Sequence, residues 1–173
     1  MQSFKLALIA ACSLVALVAS SHAEAQTVAR DPNCAPILEA MKKQLALPAY
    51  GFASTLDDEQ EAEKISTQTA TFTATKGGRW RKQPKPSGYQ DQFLAQYSSQ
   101  LHACSTGVAD TLNGAAATLY VAQLGTVLIR EWISPADGLP MQQEGMLPGV
   151  HKRVTVWNYN NVAVPESDKI DPE

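Results

Sequence analysis

The second half of the chain can fold in few ways. From Gly107 to Val164 it alternates short runs rich in β-branched and aromatic residues with turn signals, a pattern that pairs antiparallel. Asn113-Gly114 marks a tight hairpin between Gly107–Leu112 and Ala115–Gln123, because both residues tolerate the positive φ such a turn needs. Gly125 ends the second of these strands. Thr126–Ser134 forms the next, and Pro135-Ala136-Asp137-Gly138 turns the chain into Leu139–Glu144. A loop rich in Gly and Pro, residues 145–149, leads to a last long strand, Lys152–Val164.

The first half adds helices. Asp31 can cap, Pro32 fits a first turn, and Ile37, Leu38, Met41 and Leu45 follow at helical spacing until Pro48 stops the run. A second helix is expected over Tyr89–Cys104, with Phe93, Tyr97, Leu101 and Cys104 on one face. Between them Tyr50–Leu56 reads as a strand with Tyr50, Phe52 and Ser54 on one side, and Lys64–Thr75 as a second, threonine-rich strand. The acidic run Asp57–Glu63 reads as a solvated loop. Lys76–Arg79 is a turn, and Trp80 opens a short returning strand closed by Pro84, Pro86 and Gly88. The sum is about eight strands and two helices. The expected fold class is α+β: a twisted antiparallel sheet with two helices on one face.

Residues 1–23 belong to a different object. Lys5, the apolar run Leu6–Ala19 and the small residues before Glu24 have the three-part layout of a secretory signal. Ser-His-Ala before Glu24 is the preferred cleavage site, and Ala-Glu-Ala ending at Ala25 is the alternative. A rival reading takes Ile9-Ala10-Ala11-Cys12 as a lipoprotein site, with the mature chain anchored through Cys12. The apolar run is short for a membrane span, and no other segment reaches that length, so the mature chain is expected to be periplasmic with no span. That leaves a single domain over 24–165 and a flexible charged tail over 166–173.

Export decides how the cysteines are read. Cys34 and Cys104 remain after the signal, and two cysteines in an oxidising compartment ordinarily join. Closing 70 positions is worth about 4 kcal/mol by chain entropy. Two separate buried thiols are the alternative.

Several functions lose their footing here. Of the chain's 14 basic residues only Lys5 lies in the signal, leaving an acidic excess that gives a phosphate backbone nothing to bind. An apolar content of 45% excludes wholesale disorder. No G-x-S-x-G is present, and the two mature histidines, His102 and His151, are far apart in sequence, so no catalytic residues, metal ligands or cofactor are assigned. The acidic run lacks the spacing of a calcium loop.

Two blocks in the last third point further. Trp132-Ile133-Ser134, Asp137-Gly138-Leu139-Pro140 and Glu144 form one. Val154, Val156, Trp157, Tyr159, Asn161, Val162 and Pro165 form the other. With the earlier helix–strand–strand order and Gly77-Gly78-Arg79-Trp80, they resemble the LolA/LolB-type carriers and their LppX-like and RseB-like relatives. The Cys34–Cys104 pair is not part of that pattern. The resemblance implies an open half-barrel, helices across its concave face, and a lipid or acyl-chain ligand between them. The candidate ligand wall is Tyr120, Leu128, Trp132, Met141, Trp157 and Tyr159, with Arg130 as the partner for a carboxylate or phosphate head group should it point inward. The competing readings are an ordinary core at these positions, and a regulatory module that docks a periplasmic protein partner through its sheet edge or acidic run.

Overall fold

The computed structural model describes residues 31–75, 78–147, 149 and 151–171. The signal segment, its two cleavage sites and Cys12 lie outside these residues.

The chain opens with a 3-10 turn, Pro32–Cys34, that runs into α1 (Ala35–Ala46). Asp31 caps it by accepting from Asn33 N at 3.0 Å. α1 buries Ile37, Ala40, Met41, Gln44 and Leu45 and stops where Leu47 turns extended before Pro48. Four strands follow: β1 (Ala49–Leu56), β2 (Glu59–Thr67), β3 (Ala70–Ala74) and β4 (Arg81–Pro84). After α2 (Tyr89–Gln100) come β5 (Leu101–His102), β6 (Val108–Leu112), β7 (Ala115–Leu124), β8 (Val127–Ile133), β9 (Pro140–Leu147) and β10 (His151–Asn158).

The strands form one sheet in the order β4-β3-β2-β1-β10-β9-β8-β7-β5, with β6 also on the outer edge of β7. All the strand-to-strand ladders are antiparallel. Two meanders, β1–β4 and β6–β10 with β5 beside β6 on the edge of β7, are thus joined edge to edge through the β1–β10 ladder. The sheet stays open between β4 and β5, an α+β half-barrel. No helix among the described residues is long and apolar enough to cross a membrane.

Several elements differ from the sequence expectation, each for a local reason. The acidic run is mostly strand. Asp57 and Asp58 both take positive φ, 48° and 69°, and make a two-residue hairpin turn that pairs Leu56 with Glu59. Its Asp-Asp sequence lacks the glycine that announces such turns. Lys64–Thr75 is two strands, because the Thr67 hydroxyl accepts from the N–H groups of Thr69 and Ala70 and folds the chain back. The second helix ends at Gln100. Leu101 and His102 pair with β7 instead, and Ala103 takes φ 50°. β9 continues through Leu147, where a loop was expected, and β10 ends at Asn158, whose side chain accepts from Asn160 N at 3.0 Å and starts a turn. Ten strands result among the described residues, rather than eight. The Asn113-Gly114 hairpin takes positive φ at both positions, 52° and 81°.

The disulfide joins Cys34 and Cys104, with Cα atoms 5.2 Å apart. Asp31 reinforces the junction: its second carboxylate oxygen accepts from Cys104 N at 3.0 Å. The segment over 166–171 forms a short 3-10 turn, Ser167–Lys169, and Ile170 bridges Trp80 while Arg79 pairs with Asp171 at 3.0 Å.

The packed core is off-centre. Ile37, Met41 and Leu45 of α1, Tyr97 of α2 and the disulfide lie against Ala122, Ile129 and Ile133, so both helices rest on β7 and β8. Over the other half of the inner face the helices stand away from the sheet and leave space between.

Candidate ligand cavity

Between that half of the sheet and the helices lies a cavity of about 560 Å³. Register places its floor. Across four strands Thr73, Lys64, Phe52 and Trp157 stand side by side, and the next row is Thr71, Ser66 and Tyr50. Side chains alternate along a strand, so these residues share the face that looks toward the helices. α1 supplies Met41, Gln44 and Leu45. α2 supplies Tyr89, Phe93, Gln96, Tyr97 and Gln100, spaced along one helical side.

The lining has two characters. One part is aromatic: Tyr89 stacks on Phe93 at 6.0 Å, Phe93 on Tyr97 at 6.2 Å, and Tyr50 on Phe52 at 6.1 Å between ring centroids. The other part is amide and hydroxyl, from Gln44, Gln83, Gln96, Gln100, Gln143, Ser66, Thr71, Thr73 and Thr155. Such a surface suits a ligand with an apolar body and a hydrogen-bonding end.

Hydrogen bonds hold the walls. Gln44, 2% exposed, donates to the Tyr159 hydroxyl at 2.9 Å, and that hydroxyl donates to Pro140 O at 2.7 Å. This relay ties α1 to the residue just beyond β10. Gln143 donates to Glu131 Oε2 at 2.6 Å and lies 3.4 Å from the Tyr97 hydroxyl. Glu131 is 1% exposed. Burial pushes its carboxyl up to about 8, against a smaller opposing effect of the Gln143 hydrogen bond. Burial also raises Tyr97, with the nearby Glu131 adding to the effect, and it raises Tyr159 and Tyr50. Lys85 donates to Ser66 Oγ at 2.7 Å, and burial lowers its ammonium.

The seven candidate residues separate. Trp157 lines the cavity. Tyr159 borders it through Gln44. Tyr120 is on the inner face but packs against the core over β7. Met141 sits at a separate depression of about 350 Å³ beside Leu139. Leu128, Arg130 and Trp132 occupy the opposite face of β8, because Ile129, Glu131 and Ile133 are the residues turned to the helices. A one-residue choice of register decides this. The Trp132 indole N–H donates to Asp110 of β6 at 2.8 Å, spanning β7 at Ala117, which is 4% exposed. That hydrogen bond holds the Asp110 carboxyl below its usual range. Arg130 is exposed and stands opposite Glu144, which Lys152 already pairs at 3.0 Å.

The pairing of β1 with β10 brings Tyr50, Phe52 and Lys64 beside Trp157, contacts that sequence reasoning missed. The signal was present: Tyr50 and Phe52 share a strand face, and Phe93 and Tyr97 share a helix face. What was lacking was the knowledge that those faces meet. The Asp31, Cys34 and Cys104 cluster could be mistaken for metal ligands, but both sulfurs are committed to the disulfide.

Comparison with solved structures places the fold. LprF from Mycobacterium bovis superposes with a TM-score of 0.52 at 12% identity, over 79% of this chain and 98% of that one. The Mycobacterium tuberculosis lipoprotein LppX gives 0.50 at 10% identity, over 76% and 97%. The chain therefore has the LolA/LppX-like fold. No protein-family model and no curated protein matches the sequence.

Proposed function

We propose that the protein is a non-enzymatic, exported binding protein that holds an acyl chain or similar apolar ligand between its curved sheet and its helices. The observation that carries the reading is the cavity of about 560 Å³, floored by Phe52 and Trp157 and walled by Tyr89, Phe93 and Tyr97. Its size lies within the roughly 300–1,000 Å³ of small-molecule sites. Its place, between helices and concave sheet, is where the resemblance puts a ligand. Apolar burial supplies about 25 cal/mol per Å², less the cost of ordering the ligand. The signal segment and the disulfide support export to the periplasm.

The docking-module reading has weaker support. It offered the sheet edge or the acidic run as the contact, and in the acidic run Asp57 already bonds His151 at 2.6 Å and Arg153 pairs Glu61 at 2.9 Å.

The test is native mass spectrometry and lipid extraction on protein purified from its own compartment, with Trp157→Ala and Trp132→Ala beside wild type. The expected result is a co-purifying lipid that Trp157→Ala loses and Trp132→Ala keeps, since Trp132 lies on the other face. Lipid-free wild type that also binds no added acyl probe overturns the reading, and a stoichiometric protein partner in its place favours the docking module.

A further inference from the structure

We propose that the cavity selects an anionic amphiphile, and that the Lys64 ammonium receives its carboxylate or phosphate head group. The inference rests on the binding reading above and names the ligand class that reading leaves open.

Among the described residues lining the cavity, Lys64 is the charged one. It is half-buried, and no carboxylate pairs with it among the described residues. Register sets it between Thr73 and Phe52 on the inner face, and its Nζ lies 5.6 Å from the centre of the Phe52 ring. A ring face attracts a cation but does not neutralise it. Two residues along β2, Ser66 takes a second ammonium, that of Lys85, at 2.7 Å. This end of the cavity thus holds one ammonium, with a second at Ser66, and no carboxylate lines the cavity among the described residues. Glu131 is on the same face but does not line the cavity and is engaged by Gln143. Burial keeps that carboxyl largely protonated at neutral pH.

Thr73 and Thr71 hydroxyls flank the Lys64 position and complete a set of donors for oxygen atoms. The aromatic groups Phe52, Trp157 and Phe93 lie on the same cavity wall and roof and would take the chain. Head group and tail thus have separate places.

Three probes test this: a long-chain fatty acid, a lysophosphatidic acid with the same chain, and the matching fatty alcohol. Each is titrated by calorimetry, below its critical micelle concentration, against delipidated wild type, Lys64→Met and Lys64→Arg. Circular dichroism checks the fold of each variant. The expected result is that wild type binds at least one acid about tenfold or more tighter than the alcohol, the scale of one charge-assisted hydrogen bond. Lys64→Met should erase that preference, and Lys64→Arg should keep it. Preference for the fatty acid alone identifies a carboxylate, and preference for the lysophosphatidic acid alone a phosphate. Equal binding of alcohol and acids by wild type overturns the head-group inference and leaves the binding reading standing. A preference that survives in Lys64→Met does the same. Failure of all three probes on wild type overturns both.

Discussion

Glu131→Gln should make this protein more stable at neutral and alkaline pH, although the side chain is enclosed and reaches no surface. Glu131 is fully enclosed beneath the helices, with Gln143 donating to it at 2.6 Å. Burial raises its carboxyl from 4.5 to about 8. Between those values the folded state holds a proton that the unfolded chain releases. Stability is therefore complete below about pH 4.5 and falls as pH rises toward 8, because the native state binds more protons than the unfolded one. At 1.36 kcal/mol per unit the full loss is about 5 kcal/mol, of which about 3–4 kcal/mol falls between pH 5 and pH 8. That is a large part of the roughly 5–15 kcal/mol that holds a typical domain together. Glutamine keeps the shape and an oxygen for Gln143 but cannot ionise. Urea unfolding of both proteins from pH 5 to pH 8.5, with the disulfide intact, gives two stability curves. Every other titrating group acts on both, so their difference isolates Glu131. The curves should nearly meet at pH 5 and separate by about 3–4 kcal/mol at pH 8, with the variant the more stable. Parallel curves would refute the reasoning, and so would a variant less stable throughout. The first would mean that the carboxylate is solvated in the native state, the second that the protonated oxygen makes a hydrogen bond the amide cannot replace.

Other expectations follow from packing and cross-links. Thiol titration of the folded, oxidised mature chain should find no free cysteine, and Cys34→Ser with Cys104→Ser should lower unfolding stability by about 4 kcal/mol. Gly107→Ala should cost about 1–3 kcal/mol in denaturant unfolding, because a Cβ there would lie 2.6 Å from the Tyr120 ring and 2.7 Å from Thr118 Cγ2.

The sequence made the architecture more legible than the cavity, and the reason is range. Asn113-Gly114, the helix stripe Ile37–Met41–Leu45 and the Cys34–Cys104 pair are local or nearly unique in their possibilities. They led directly to the hairpin, to α1 and to the bridge. The ends of elements were harder. Asp57-Asp58 makes the kind of turn that Asn-Gly announces, but aspartate is also common in loops, so the run read as solvated. Thr67 ends β2 by a side-chain hydrogen bond that composition does not display. The face of β8 was harder still. Leu128 and Trp132 look more suited to an interior than Glu131, and hydrophobicity alone assigns the strand backwards. A buried glutamate is tolerated here because it is protonated and bonded to Gln143, a partner on another strand. The β1–β10 ladder joins residues about a hundred positions apart, and no short-range signal encodes it.

The two ends of the helix pair are fastened very differently, and this says where a ligand should enter. At one end the Cys34–Cys104 disulfide and Asp31 fix the start of α1 to the segment after α2. At the other end the link is made by amides. Gln90, in the first turn of α2, donates to Leu45 O at 2.8 Å, and Gln68 donates to Leu45 O at 3.2 Å and Leu47 O at 2.5 Å. These satisfy carbonyls that the last turn of α1 leaves without helical partners. Each such bond is worth only about 0.5–1.5 kcal/mol, far below the cost of parting the core over β7 and β8. Tyr89 and Gln83 line the cavity on this side, so raising the start of α2 uncovers it while the disulfide end stays closed. Gln68→Ala with Gln90→Ala should therefore speed both uptake and release of a fluorescent acyl probe in stopped-flow mixing, by about tenfold to a thousandfold for the three lost bonds. The equilibrium affinity should change much less than either rate, because the cavity walls are intact. Unchanged rates would show that the ligand does not pass this end, and accelerated release with slowed uptake would show that the amides shape the bound state rather than guard the entrance.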